Sequence, residues 1–213
     1  MIDRYTLPEM GRIWTDESKY RAWLEVELAT TEALSESGEV PTEAAQLLRQ
    51  YASFQVARIQ EIEREVRHDV IAFTTAVSES MAAAGHPEAS RWLHYGLTSN
   101  DVVDTAQALQ IRDASQLISK GISKLAESLK TRAFEFKHSV QIGRTHGIHA
   151  EPITFGLKLA LWYDEIQRNL AHRRCRRQPP AQRFDRNALD PTIEHAIIGR
   201  QEAFSDRTKR IRP

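Results

Sequence analysis

The sequence has one cysteine, Cys175, among 213 residues, which excludes an internal disulfide framework. It also lacks any apolar run near the roughly 20 residues that a membrane-spanning helix needs. The opening residues MIDRYTLPEM show no basic flank followed by an apolar stretch, as a secretory signal would. Hydrophobic residues make up 41% and charged residues 27%, proportions typical of a folded chain. We therefore expect a cytoplasmic protein that does not cross a membrane.

Net charge is zero, but the two ends of the chain differ in sign. Residues 1–170 carry 18 Lys and Arg against 24 Asp and Glu, whereas residues 171–213 carry 11 against 5. Such a shift predicts a segment of different origin or different role. Translation in a shifted reading frame after Leu170 is one hypothesis for its origin. We expect residues 171–213 to be an irregular, Arg-rich tail. Its aromatic residues are few and it has no recognised module, so a nucleic-acid partner is not expected.

Apolar residues recur at helical spacing through most of the first 170 positions. Three such patterns cover Asp16 to Ser37, Val56 to Val66 and Asp69 to about Ala84. The proline-free segment from about Ser99 to Lys137 predicts a helix on the order of 55 Å long. Helices of that length usually pack along one another in a bundle.

We find no hairpin pattern, and Pro152 is expected to begin a last helix that runs to Leu170. The fold class is therefore predicted to be all-α. The expected organisation is an N-terminal helical domain over residues 1–97 and the first long helices of a truncated central bundle over residues 98–170.

Four polar clusters lie at the breaks between these helices. Helix N-termini offer free amides and partial positive charge, so such breaks suit an anionic ligand. Each cluster also has a simpler interpretation as a surface charge, a core tyrosine or a helix cap. In particular, Asp69 is expected to cap its helix, and Thr98, Ser99 or Asn100 to cap the longest one. The clusters are Arg4-Tyr5, Arg67-His68-Asp69, the segment His94 to Asp101, and the segment Gly143 to Pro152.

The last cluster contains two histidines three residues apart between glycines. A histidine titrates near neutrality, so His146 and His149 are candidates for proton transfer. A metal site formed by His146, His149 and Glu151 is an alternative, although the segment lacks an HExxH helix or a nearby cysteine. A purely structural loop is the remaining alternative. We expect no metal.

Taken together, the motifs resemble one enzyme family over about residues 1–170. The segments are RYTLPEMGRIWTDESKYRAWLEVELA, RHDVIAFTTAVSES, WLHYGLTSNDVVDTA and GRTHGIHAEPITFGLKLALWYDEIQRNL. In this order and spacing they resemble adenylosuccinate lyases of the fumarase/aspartase superfamily. This resemblance implies β-elimination of fumarate from adenylosuccinate, which leaves AMP, and from the succinyl-carboxamide ribotide of purine synthesis. It implies a homotetramer and no cofactor.

The resemblance also implies roles for residues at the four breaks. The catalytic candidates are His146, as the general acid for the leaving nitrogen, and His68. Arg4, Tyr5, Arg67 and His68 are expected to hold the nucleotide phosphate, with Asp69 supporting them. Thr98 and Ser99 are expected to bind the succinyl group. His149 is expected to play a structural role, together with Glu151.

The chain departs from the family in one important respect. The family's base is a serine in a segment of the pattern SSAMPxKRNP, and residues 1–213 contain no such segment. We therefore expect the 213 residues to be inactive alone, as a truncated lyase. The alternative is a non-catalytic protein that binds a nucleotide or a lyase subunit.

Overall fold

The computed structural model describes residues 2–177, and helices account for most of them, so the all-α class is confirmed. Short 3-10 helices cover Asp3–Tyr5 and Pro87–Trp92. The α-helices of the described part are α1 (Pro8–Ile13), α2 (Asp16–Glu36), α3 (Thr42–Tyr51), α4 (Val56–Val66), α5 (Asp69–Ala83), α6 (Ser99–Glu135) and α7 (Phe155–Arg177). None of them is long and apolar enough to span a bilayer.

The chain divides into two compact units, and the division falls within α6. The first unit is Met1–Ile118 and the second begins at Ser119. Helix α6 itself has 37 residues, which corresponds to about 55 Å of helix and confirms the long helix expected there.

The core of the first unit is built around an aromatic group on α2 and α5. The Phe73 ring stacks on Tyr20 at 5.9 Å between centroids and meets Trp23 edge-on at 5.5 Å. Edge-on and stacked ring pairs add about 1 kcal/mol each beyond the area they bury. This core fixes the helices whose ends carry the second and third polar clusters.

The bounds of the N-terminal helices agree with the sequence patterns, and their ends have the expected chemistry. The Thr15 hydroxyl accepts a hydrogen bond from the Ser18 amide at 3.2 Å and so caps α2. Beyond the end of α2, Gly38 has φ +83°, a conformation that a glycine adopts without cost.

The expectation of a loop followed by a helix at Pro152 is wrong. Strands β1 (Val140–Thr145) and β2 (Ile148–Thr154) form an antiparallel hairpin, and Pro152 lies within β2 opposite Ile142. Val140, Ile142, Ile148, Ile153 and Thr154 are β-branched, which favours strands. A two-stranded sheet consists of edges alone, and an edge strand tolerates a proline.

The last helix is longer than the sequence indicated. Helix α7 continues through Arg177, so the irregular tail expected from residue 171 does not begin there. Residues 178–213, where we expected the rest of that tail, lie outside the described residues.

The second unit leaves large apolar side chains in solvent. On α6 Leu125 and Phe134 are each 51% exposed, and on α7 Leu161 and Trp162 are 57% and 47% exposed. The other residues that the structure describes therefore cover these apolar side chains only in part.

Candidate active site

The first cluster, Arg4-Tyr5, lies on the surface. The Arg4 guanidinium stands 4.7 Å from the centroid of the Tyr5 ring, a cation–π contact between adjacent residues. Tyr5 is 73% exposed, so the alternative of a core tyrosine is wrong. Both polar ends are accessible to a ligand.

The second cluster joins α4 to α5. Arg67 ends α4 in the left-handed conformation with φ 54°, and its amide donates to the Glu63 carbonyl at 2.8 Å. The N-cap of α5 is His68 and not Asp69 as expected, because the His68 Nδ1 accepts from the Ile71 amide at 3.4 Å. Asp69 is the first residue of α5, and its carboxylate accepts from the Val70 amide at 2.8 Å.

This capping bond has a chemical consequence for His68. A neutral imidazole has one N–H and one acceptor nitrogen. A neutral His68 whose Nδ1 accepts this bond carries its proton on Nε2, which is then an N–H donor. The His68 Nδ1 lies 3.6 Å from the Asp69 carboxylate, so these two predicted site residues are neighbours.

The third cluster leads into α6 through Thr98. The Asp101 carboxylate accepts from the Thr98 amide at 2.8 Å and from the Thr98 hydroxyl at 3.0 Å. These hydrogen bonds hold the pKa of Asp101 below its ordinary value, the backbone bond having the larger effect. Ser99, the first residue of α6, is half-buried, while Thr98 is exposed.

The fourth cluster is the tip of the β hairpin. His146 and Gly147 occupy the two turn positions with φ 48° and 75°, which is the two-residue type I′ turn of hairpins. The turn places His146 in solvent at the tip of the two-stranded hairpin. His149 and Glu151 are exposed on β2. Within residues 2–177 no group of three or more His, Cys, Asp or Glu side chains is arranged to hold a metal ion.

Three residues other than glycine have a positive φ in the described part of the chain, and each lies in one of the last three clusters. They are Arg67 at 54°, His94 at 60° and His146 at 48°. A left-handed conformation costs about 1–2 kcal/mol for a residue with a Cβ. Such outliers concentrate at functional sites, where the surrounding structure maintains them.

The second and fourth clusters are each held by their own helix end or turn. In the first unit no hydrogen bond or ion pair among the described residues joins one cluster to another. The hairpin with His146 belongs to the second unit.

Sequence reasoning missed one pair, Glu27 and His94. Glu27 is 1% exposed on α2, and its carboxylate bonds to both the amide and the imidazole of His94. The available signal was a carboxylate on the apolar stripe of α2, four residues after Trp23.

Known proteins resemble this chain over most of its length. The lyase family matches residues 3–181. Adenylosuccinate lyase from Bacillus subtilis (strain 168) is 52% identical over 170 residues, which are 80% of this chain and 38% of that enzyme. Adenylosuccinate lyase from Streptococcus mutans is 50% identical over 170 residues, again 80% of this chain and 38% of the relative. The chain thus spans little more than a third of the length of these relatives.

Solved structures of related enzymes share the fold. A fumarate lyase from Mesorhizobium sp. BNC1 superposes with a TM-score of 0.69 at 31% identity, over 76% of this chain and 38% of that one. A 3-carboxy-cis,cis-muconate lactonizing enzyme from Pseudomonas putida gives 0.71 at 31% identity, over 83% of this chain and 42% of that one. The chain therefore belongs to the lyase family, and its resemblance to adenylosuccinate lyases is confirmed.

Proposed function

We propose that this chain carries the substrate-binding and proton-donating part of an adenylosuccinate lyase active site. The observation that supports this best is the place of its left-handed residues. Arg67, His94 and His146 lie in the three motifs RHDV, HYGLTS and GRTHG that carry the resemblance. A ligand-binding site would retain such strained backbone, because binding depends on the positions that it gives to the side chains.

The phosphate of the nucleotide is assigned to the first two clusters. Arg4 and Arg67 supply fixed positive charge, and the Tyr5 hydroxyl is exposed. His68 adds an Nε2–H donor, while the Val70 and Ile71 amides of α5 already donate to Asp69 and His68. Donors and positive charge of this kind stabilise a phosphate dianion.

The succinyl group is assigned to the start of α6. Thr98 and Ser99 supply hydroxyl groups beside the free amides of the first turn, where the helix dipole favours a carboxylate. Asp101 already accepts the amide and the hydroxyl of Thr98. The Thr98 hydroxyl thus gives its one proton to Asp101, and the Ser99 hydroxyl and the remaining amides are the donors left for a carboxylate. Thr98 would join them by turning its hydroxyl from Asp101 to the substrate.

The proton for the leaving nitrogen is assigned to His146. In the elimination a base removes a proton next to a carboxylate, the carbon–nitrogen bond breaks, and an acid protonates the nitrogen of AMP. His146 is exposed at the hairpin tip, where its imidazole can reach a ligand. The 213 residues contain no serine segment of the SSAMPxKRNP type, so we expect the base to come from another polypeptide segment.

We further infer that the chain acts as part of a homo-oligomer in the cytoplasm. Exposed Leu125, Phe134, Leu161 and Trp162 on α6 and α7 favour burial against further helices. The single cysteine suits a reducing compartment.

Isothermal titration of the purified chain with AMP tests this proposal. We expect binding that weakens about tenfold or more when Arg67 is replaced by Gln, because a charge-assisted hydrogen bond is lost. Replacement of Arg64, which lies one turn earlier on α4, by Gln is the matched control. Equal AMP affinity in the wild type, Arg67→Gln and Arg64→Gln would contradict the assignment of the phosphate to Arg67.

A further inference from the structure

Glu27 is the one buried charged side chain in the part of the chain that the structure describes. It lies on α2, one turn after Trp23 and one turn before Thr31, and it is 1% exposed. A buried carboxylate is unfavourable unless hydrogen bonds replace its lost water. Glu27 therefore requires hydrogen-bond donors in the core that replace its lost water.

Both carboxylate oxygens of Glu27 bind the same residue, His94, which lies 67 positions later. Oε2 accepts the His94 backbone amide at 2.8 Å, and Oε1 lies 2.7 Å from the His94 Nδ1. These are the short distances of charge-assisted hydrogen bonds. One side chain thus holds both the backbone and the ring of His94.

The first bond maintains an unfavourable backbone conformation. His94 has φ 60°, in the left-handed region, and Gly96 follows at φ 74°. The chain then reaches Thr98, the residue before the start of α6 at Ser99. Because Glu27 is fixed in the core of the first unit, its bond to the His94 amide fixes the path of the backbone into the third cluster.

The second bond determines the tautomer of His94. With an ionised Glu27, the proton of a neutral imidazole lies on Nδ1, and Nε2 is an acceptor. Within residues 2–177 Nε2 has no hydrogen-bond partner, and the His94 side chain is 28% exposed. An acceptor nitrogen is therefore left for a group outside this part of the chain.

We propose that Glu27 is a positioning residue that holds His94 as the Nδ1–H tautomer, so that Nε2 accepts a hydrogen bond from a hydroxyl or N–H group of the nucleotide substrate. This inference rests on the proposed function for its ligand. The arrangement of Glu27 and His94 themselves is independent of that function, and the two can be tested separately.

Nitrogen-15 NMR of the imidazole rings in the full 213-residue chain tests the arrangement directly. The imidazole signal that is missing from the spectrum of the His94→Asn variant is the signal of His94. Asparagine is the substitute because it also tolerates the left-handed region. We expect the neutral ring of the wild-type protein to show a protonated Nδ1 and an unprotonated Nε2. The opposite tautomer, or an even mixture, would overturn the proposal.

Glu27→Gln then tests the role of the carboxylate. The glutamine carbonyl can accept the His94 amide, which leaves its NH2 facing Nδ1. We therefore expect the tautomer to reverse, so that Nε2 becomes a donor, and AMP to bind about tenfold more weakly because one hydrogen bond is lost. Glu25→Gln on the same helix is the matched control, since Glu25 is exposed and pairs with Arg49.

The outcomes separate the two proposals. A reversed tautomer with weaker AMP binding in Glu27→Gln alone supports the positioning role. Unchanged AMP affinity in a folded Glu27→Gln protein overturns it. If the wild-type chain shows the expected tautomer but binds no AMP, the proposed function is contradicted. The positioning of His94 for that substrate is then rejected as well, while the Glu27–His94 hydrogen bonds are still confirmed.

Discussion

Gly156 at the start of α7 packs backbone to backbone against Ala133 near the end of α6. A Cβ on Gly156 would collide with the Ala133 carbonyl oxygen, and it would lie 2.6 Å from the Lys137 Cα. The Gly156 amide donates to the Phe136 carbonyl at 3.0 Å, and the Phe136 and Phe155 rings lie 5.3 Å apart. This contact closes the base of the hairpin and so supports the turn that carries His146.

Replacement of Gly156 by Ala is expected to lower the free energy of unfolding by about 1–3 kcal/mol, since backbone atoms must move to admit the methyl group. Gly121 is the matched control, because it also lies in a helix but has open space around its Cβ position. Gly121→Ala should raise the free energy of unfolding by up to about 1 kcal/mol. Urea denaturation followed by circular dichroism measures both, and a Gly156→Ala protein as stable as the wild type would refute the packing.

Arg67 should contribute to AMP binding but add little to the free energy of unfolding. Glycine adopts φ 54° without steric cost, so Arg67→Gly relieves about 1 kcal/mol of strain while losing a similar amount in backbone entropy. We expect stability to stay within about 1 kcal/mol of the wild type and AMP affinity to fall. In Arg64→Gly, within α4, we expect the reverse: a loss of about 1 kcal/mol of stability and unchanged affinity. Denaturation and calorimetric titration of the two proteins test this contrast.

His146 can be replaced without loss of the hairpin if the substitute suits a type I′ turn. Asn-Gly is the preferred sequence for such a turn, so His146→Asn should retain slow amide hydrogen exchange across β1 and β2. His146→Val, with a β-branched residue at positive φ, should lose that protection by about 1–2 kcal/mol of local stability. Faster exchange in the asparagine variant than in the valine variant would contradict the turn assignment.

Asp101 should make stability depend on acid pH. Hydrogen bonds from Thr98 lower the pKa of Asp101 in the folded chain below its value of 3.8 in the unfolded chain. Its contribution is therefore fully present above the unfolded pKa and is lost as the pH falls through the lower, folded pKa. We expect Asp101→Asn to be less stable than the wild type at neutral pH, with a difference that shrinks on acidification through this window.

Asp104→Asn on the same helix is the control for that titration, since Asp104 is exposed and accepts no hydrogen bond from Thr98. Urea midpoints measured across the acid range should show the pH-dependent difference for Asp101 alone. Equal pH dependence in Asp101→Asn and the wild type would exclude the stabilising role of this carboxylate.

The sequence predicted the helices well because each has its own periodicity and its own end signals. Helices α2 and α4 lie where the spacing of Trp23, Leu24, Ile59 and Ile62 places them. The hairpin was missed because His-Gly is an uncommon turn pair and because Pro152 suggested a helix start. Its strands are mostly exposed and contain no fully buried residue, so no apolar run typical of a core strand marked them.

The site was predictable as a set of motifs but not as an arrangement of contacts. That His68 and not Asp69 caps α5 depends on the ring reaching the Ile71 amide, which no spacing rule reveals. The Glu27–His94 pair joins residues 67 positions apart, and tertiary packing alone brings them together. Local chemistry thus identified the clusters, while the support of the third cluster came from a long-range contact.

Complementation of fumarate release tests the central claim most directly. The chain would be mixed with a Bacillus subtilis adenylosuccinate lyase whose histidine aligned with His146 is replaced, so that each protein supplies what the other lacks. We predict no fumarate from adenylosuccinate with either protein alone, release from the mixture, and a rate about a hundredfold lower or less with the His146→Asn chain. Fumarate release by the purified 213-residue chain alone, or equal complementation by the asparagine variant, would contradict the account.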